Sequence, residues 1–342
     1  MKARVALLAA CGALCCGAAE TADDTAFLQA QIDKGGEVRL PAREYRISRT
    51  LLIGSDTHVR FADGAKILLL PGSDCPLAGN RDVAAGNHDI SLEGGVWDMD
   101  NLRQSPNPGW RHLCKPPLPR LKFPAKYDPA FYRGNAFYFE NVKNFSVKGI
   151  TIRNPVTYAF QMCRVSYFTV DGVTFDFTTE NPIKGNMDGI HLDGGCHHGR
   201  ILNLEGTCWD DSVAINANDG HCAAFEGPIT DILIDGVHAE LGHSAVRLLS
   251  TGAPVERITI RNVSGRFYAY AIGFTHFFRD RPQQGLFSDI TIEHVKVGKG
   301  KVPEGFPWPA VLEAFPVLMY DSNIKIDRLM LDDITLMDDL GK

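Results

Sequence analysis

From about residue 50 onward one unit recurs in this chain: an alternating apolar segment, a turn residue, then a second alternating segment. It appears at Ile90-Ser91-Leu92-Glu93-Gly94-Gly95-Val96, at Phe145-Ser146-Val147-Lys148-Gly149-Ile150-Thr151-Ile152 and at Phe168-Thr169-Val170-Asp171-Gly172-Val173-Thr174-Phe175. It returns at Ile201 to Gly206, Ile232 to Val237, Ile258 to Val263, Ile290 to Val295 and Leu329 to Ile334. Gly149 and Gly172 are 23 residues apart and Gly236 and Asn262 are 26 apart. Period-2 alternation sends every second side chain to one face, and a Gly or Asn at the corner supplies the positive φ that a tight bend needs. A repeat of this length is one coil of a solenoid, whose core grows with each coil. A sandwich would need hairpin turns between its strands, and two-residue turns such as Asn-Gly are scarce. The expectation is an all-β chain folded as a right-handed parallel β-helix.

The ends of the chain carry other signals. Met1-Lys2-Ala3-Arg4 is basic, Val5 to Cys16 is small and apolar, and Gly17-Ala18-Ala19 has the residues of a cleavage site. Residues 1–19 are thus expected to be a secretory signal, too short for a membrane span. Leu8-Ala9-Ala10-Cys11 also fits a lipoprotein box, so a secreted, periplasmic or cell-surface location is expected with the anchor left open. Residues 20–342 form a single domain in this reading. Asp23-Asp24-Thr25 is placed to cap a helix with Phe27, Leu28 and Ile32 on one side, stopped at Gly35-Gly36 and closing the open end of the solenoid. No later stretch is apolar enough to span a membrane. A net charge of −6 over mixed charges argues against nucleic acid as a partner. Beyond the signal stand Cys75, Cys114, Cys163, Cys196, Cys208 and Cys222, with no CxxC pair, which disfavours a structural zinc. They are open to disulfides or to stacking as small apolar residues. Residues 101–135, rich in Pro, aromatic and basic side chains, form a long loop: either a wall of a binding cleft or a segment packed on the solenoid.

The stretch around which function gathers is Asn186 to Ala217. It holds Asn186-Met187-Asp188-Gly189 and Asp210-Asp211, each running into an apolar strand-like segment. Asp188 and Asp210 lie 22 residues apart, about one coil, and equivalent positions of successive coils stack at about 4.8 Å. Three carboxylates then share one patch, which is electrostatically costly and is kept where acid/base chemistry uses it. The alternative is that Asp188 and Asp210 are turn residues beside Gly189 and Ser212.

Together with Thr157 to Met162 and Phe168 to Phe175, these blocks resemble glycoside hydrolase family 28, the polygalacturonases and their relatives. Gly242-His243-Ser244 is similar to that family's Gly-His-Gly block. The resemblance implies an inverting hydrolysis of a glycosidic bond in a polysaccharide, with Asp210 as general acid, Asp188 and Asp211 holding the water, and His243 tuning the acid or holding the sugar. It implies no cofactor and no metal, and a monomer with a polysaccharide or oligosaccharide partner. The family's Arg-x-Lys block, associated with a uronate carboxylate, is replaced by Gly273-Phe274-Thr275. Asn186, Lys184, Arg247 and His276 are the candidate substrate-binding residues, the last three and Arg279 as substitute cations. Two other readings stay open: a lyase using Ca²⁺ on the carboxylate cluster, and a glycan-binding solenoid without catalysis.

Overall fold

The structure is a computed structural model and describes residues 22–105, 134–177, 186–218, 226–276, 282–304, 306 and 315–337. The segment expected to be a signal, most of the long loop and Lys184 therefore lie outside the described residues. Every strand pairing is parallel, and the strands form one fifteen-stranded and one nine-stranded sheet. Each coil contributes two strand segments to the larger sheet, then one short strand to the smaller. From His197 onward the two segments fuse into long bent strands: His197–Thr207, Ile229–Gly242, Pro254–Phe267, Gly285–Lys299 and Ile324–Leu336. This is the parallel β-helix expected from the repeat; such crossovers are right-handed in nearly all sheets.

The corner residues do what the repeat required of them. Gly149, Gly172, Asn203, Gly236, Asn262, His294 and Asp333 all have φ between 48° and 88°. A second column of corners was not legible in the alternation. Asp89, Asn144, Tyr167, His198, Asp231, Arg257, Asp289 and Arg328 have φ between 53° and 60°. Residues 144, 167, 198, 231, 257 and 289 are skipped in the ladder register, as bulged residues are. Asp231 with Arg257, and Asp289 with Arg328, form exposed ion pairs along this column, which contribute little to stability.

Between the sheets the inward positions stack in rows. Ile232, Ile258 and Ile290 form one row and Ile234, Ile260 and Ile292 the next, all at 1% exposure or less. At about 1.5–3 kcal/mol for each fully buried aliphatic side chain, such rows outweigh any surface pairing. Tyr45, Phe61, Trp97, Phe137 and Phe160 continue the core as a chain of ring contacts 5.0–5.7 Å apart. Helix Thr25–Ile32 buries Thr25, Leu28 and Ile32 at the first coil, and Gln29 bonds both backbone groups of Leu52. Phe27 corrects the expectation for that helix: it is 46% exposed. Positions 25, 28 and 32 share a helix face through i+3 and i+4 spacing, and 27 lies off it. Cys75, Cys163, Cys196 and Cys208 form no disulfide; the last three are buried, as small residues packed in the solenoid are. Cys114 and Cys222 lie outside the described residues.

Candidate active site

The chain enters the nine-stranded sheet through a turn in every coil, and three successive entries carry the predicted blocks. Strands Ile190–Asp193, Asp211–Asn216 and Ser244–Leu249 lie side by side, with Ile190 beside Val213 and Asp211 beside Ser244. Asp188, Asp210 and His243 immediately precede these strands, and Asp211 opens its own. Adjacent residues in a regular strand face opposite ways, so Asp210 and Asp211 share one patch because they straddle the corner. Asp188, Asp210, Asp211 and His243 are exposed by 1%, 4%, 0% and 9%, so the sequence-derived catalytic set comes together as one buried cluster.

Each carboxylate has a different environment. Asp211 Oδ2 lies 2.8 Å from Nε of the largely buried Arg247, and its Oδ1 accepts from Ser244 Oγ and from Tyr270 OH, the latter at 3.1 Å. Burial alone would raise its pKa, but Arg247, with His243 and Ser244, holds it down at about 2. Asp210 is contacted by His243 Nδ1 at 3.4 Å and accepts from the backbone N–H of Asn186 and of Asp211, each at 3.1 Å. Burial, then the charges of Asp188 and Asp211, push its carboxyl well above the usual range. In Asp188, Oδ2 meets His191 Nδ1 at 2.6 Å, whereas Oδ1 is buried with no hydrogen-bond partner among the described residues. One carboxyl is thus set to carry a proton beside another set to be ionised, the pairing that separates acid from base in such sites. Nearest ligand atoms of Asp210, Asp211 and His243 lie within 4.8 Å of one another, which would suit a cation. Two features oppose one: Arg247 already neutralises Asp211, and a protonated Asp210 is a poor ligand.

The four substrate-binding candidates divide. Asn186 belongs to the cluster: its φ of 54° aims its N–H at Asp210, and its Nδ2 donates to Tyr158 OH at 3.3 Å. Arg247 is present as the partner of Asp211. His276 is not brought to the cluster; it follows the far end of strand Ile272–Thr275, about 20 Å along the strands by the strand rise. There its N–H donates to Asp321 and its Nε2 lies 2.7 Å from Gln283 O. Lys184 lies outside the described residues. Sequence reading missed His191, Asp193 and Tyr270. Period 2 gives a signal for the first two, since His191 and Asp193 share the outward face of their strand, downstream of Asp188.

The place of the absent Arg-x-Lys block is also visible. Gly273 stands beside Arg247 in register, facing outward. A side chain at Gly273 would collide with the Tyr270 ring, whose Cε2 would lie 2.7 Å from an added Cβ. Thr275 is fully buried and its Oγ1 donates to Leu248 O at 3.1 Å.

Residues 126–246 match the family described as Glycosyl hydrolases family 28. No curated protein matches the chain in sequence. The fold is similar to the polygalacturonase from Erwinia carotovora ssp. carotovora, at 15% identity and a TM-score of 0.61, covering 94% of this chain and 95% of that one. It is similar to the endo-xylogalacturonan hydrolase from Aspergillus tubingensis, at 13% identity and a TM-score of 0.58, covering 94% and 91%. It also resembles the family 28 exopolygalacturonase of Yersinia enterocolitica at 15% identity and a TM-score of 0.58, where 95% of this chain spans 65% of that one. Asp188, Asp210, Asp211 and His243 all lie inside the segment that resembles glycosyl hydrolases family 28, residues 126–246.

Proposed function

We propose that the protein is an extracellular hydrolase of glycosidic bonds in a polysaccharide, with Asp210 as general acid and Asp188 and Asp211 as the ionised pair that activates water. The observation that carries this reading is the convergence of three buried carboxyls in which Arg247, 2.8 Å from Asp211, holds that carboxyl down, while burial beside Asp188 and Asp211 pushes Asp210 up. A raised carboxyl keeps the proton that the leaving oxygen must take, and an ionised one accepts the proton of water. The convergence of Asp188, Asp210 and Asp211 favours catalysis over the glycan-binding alternative. The basic apolar segment Met1 to Ala19 supports export. Release of reducing sugar over a panel of polysaccharides, with Asp210→Asn as control, tests the proposal. Equal release by the wild type and the variant would refute it.

Inversion is the expected stereochemistry. Asp211 Oδ1 accepts from Ser244 and Tyr270 and its Oδ2 faces Arg247 Nε at 2.8 Å, surroundings that disfavour a covalent bond from this carboxylate to the sugar. NMR of the first-formed product should show the inverted anomer, and a retained anomer would reassign Asp188, with its free Oδ1, as nucleophile.

The sugar at the cleavage point is expected to be neutral. Arg247 is committed to Asp211, and Tyr270 fills the space over Gly273, so a uronate carboxylate there would meet no free cation among the described residues. Leaving an acidic group unpaired in a buried site costs about 2–5 kcal/mol. Neutral or mixed polysaccharides should therefore be cleaved at least tenfold faster than plain polygalacturonate, by kcat/KM. Efficient cleavage of polygalacturonate would overturn this assignment.

A further inference from the structure

Behind the carboxylate cluster runs a buried polar chain that neither the acid nor the water requires directly. His191 is fully buried, with Nδ1 at 2.6 Å from Asp188 Oδ2 and Nε2 at 3.2 Å from Asp193 Oδ1. Asp193, also fully buried, accepts from Gln161 Nε2 at 2.5 Å, and Gln161 Oε1 accepts from Asn135 Nδ2 at 2.5 Å. Thr157 Oγ1 donates to Asn135 Oδ1 at 3.0 Å. Asp193 is thus a fixed acceptor, and a protonated His191 would donate to Asp188 from Nδ1 and to Asp193 from Nε2, which also lies 3.2 Å from Asn216 Nδ2. The Tyr158 ring stacks on the imidazole at 4.0 Å, and the same tyrosine's hydroxyl holds Asn186.

We infer that His191 is a positioning residue for the hydrolysis: anchored by Asp193, it pins one oxygen of Asp188 and leaves Oδ1 aimed at the attacking water. This rests on the hydrolase reading above. The geometry sets His191 against Asp188 and Arg247 against Asp211, while the acid Asp210 has His243 Nδ1 at 3.4 Å. Burial opposes charge on His191, but Asp193 and Asp188 outweigh it and raise its pKa to about 10. Among the described residues, those facing the imidazole include Asp188, Asp193, Asn216 and the Tyr158 ring; Asp188 in turn acts on Asp210, Cys208 and Arg247.

Two readouts separate this inference from the hydrolase reading. Histidine-labelled NMR of the full chain, with the signal assigned by His191→Gln, should show an imidazole protonated on both nitrogens through pH 8. In Asp193→Asn the same signal should lose a proton below pH 8, with or without any activity. A wild-type His191 that is neutral at pH 7 would overturn the arrangement. With a cleaved polysaccharide in hand, His191→Gln should lower kcat by about tenfold to a hundredfold, as loss of a positioning contact does. KM should stay within about twofold, and the acidic limb of the pH profile should move to higher pH. An unchanged kcat and profile in a folded His191→Gln would overturn the positioning role, and NMR behaviour as expected without hydrolysis by the wild type would overturn only the hydrolase reading.

Discussion

Asp210→Asn is expected to abolish hydrolysis while the protein folds and binds glycan as before. The acid's proton enters only the transition state, so its loss should lower kcat by about three orders of magnitude or more with KM little changed. The fold should not suffer. Asn186 N–H donates to one oxygen of Asp210 and Asp211 N–H to the other, and an Asn side chain keeps one of these two acceptors. The substitution also removes a buried carboxyl whose charge Asp188 and Asp211 oppose. Because its folded pKa is raised, ionisation of Asp210 costs stability at any pH above the ordinary carboxylate value. Asp210→Asn should therefore match or exceed the wild type in its denaturation midpoint at pH 8. In the wild type, activity should fall as pH rises through the Asp210 titration, since the acid form is then lost. Residual activity above a few per cent, checked by single-turnover rates, would remove Asp210 from the acid role.

The repeat made the solenoid legible because alternation, corner and period each point to the same backbone. The corners at Gly149, Gly172, Gly236 and Asn262 are where the sequence placed them. The second corner column is filled by Asp, Asn, His, Tyr and Arg, which leave no distinctive mark on a single sequence. Within the site, Asp188, Asp210 and Asp211 were readable from blocks one coil apart, and His243 from the resemblance of Gly242-His243-Ser244 to a family 28 block. His191 and Asp193 were not, since buried polar residues on the outward face of a short strand look like ordinary solvent-facing ones. His276 failed for a related reason: a strand has two ends, and spacing alone does not say which end faces the cluster. Tyr270 could be found only in three dimensions, because its ring returns over Gly273 on its own strand's outward side.

Arg247→Met is expected to be the most destabilising substitution in the site. Asp211 is fully buried and Arg247 largely so, the two lie 2.8 Å apart, and Asp188 adds to the negative field at the guanidinium. Removing one partner of such a pair leaves the other charge uncompensated, at a cost of about 3–5 kcal/mol. The loss should appear as a lower denaturant midpoint with an unchanged slope. Its pH dependence has a defined sign. Asp211 is depressed to about 2, so it contributes stability above the ordinary carboxylate pKa, lost as pH falls through about 2. Without Arg247 that contribution should disappear, and the variant's stability relative to the wild type should be worst at neutral pH and recover towards pH 2. Adding Asp211→Asn to Arg247→Met should restore part of the midpoint, because the second change removes the orphaned charge. Activity should fall in both variants, since one of the two carboxylates proposed to hold water is disturbed or gone. An Arg247→Met protein with the wild-type midpoint at pH 7 would show that Arg247 is not the cation that keeps Asp211 ionised.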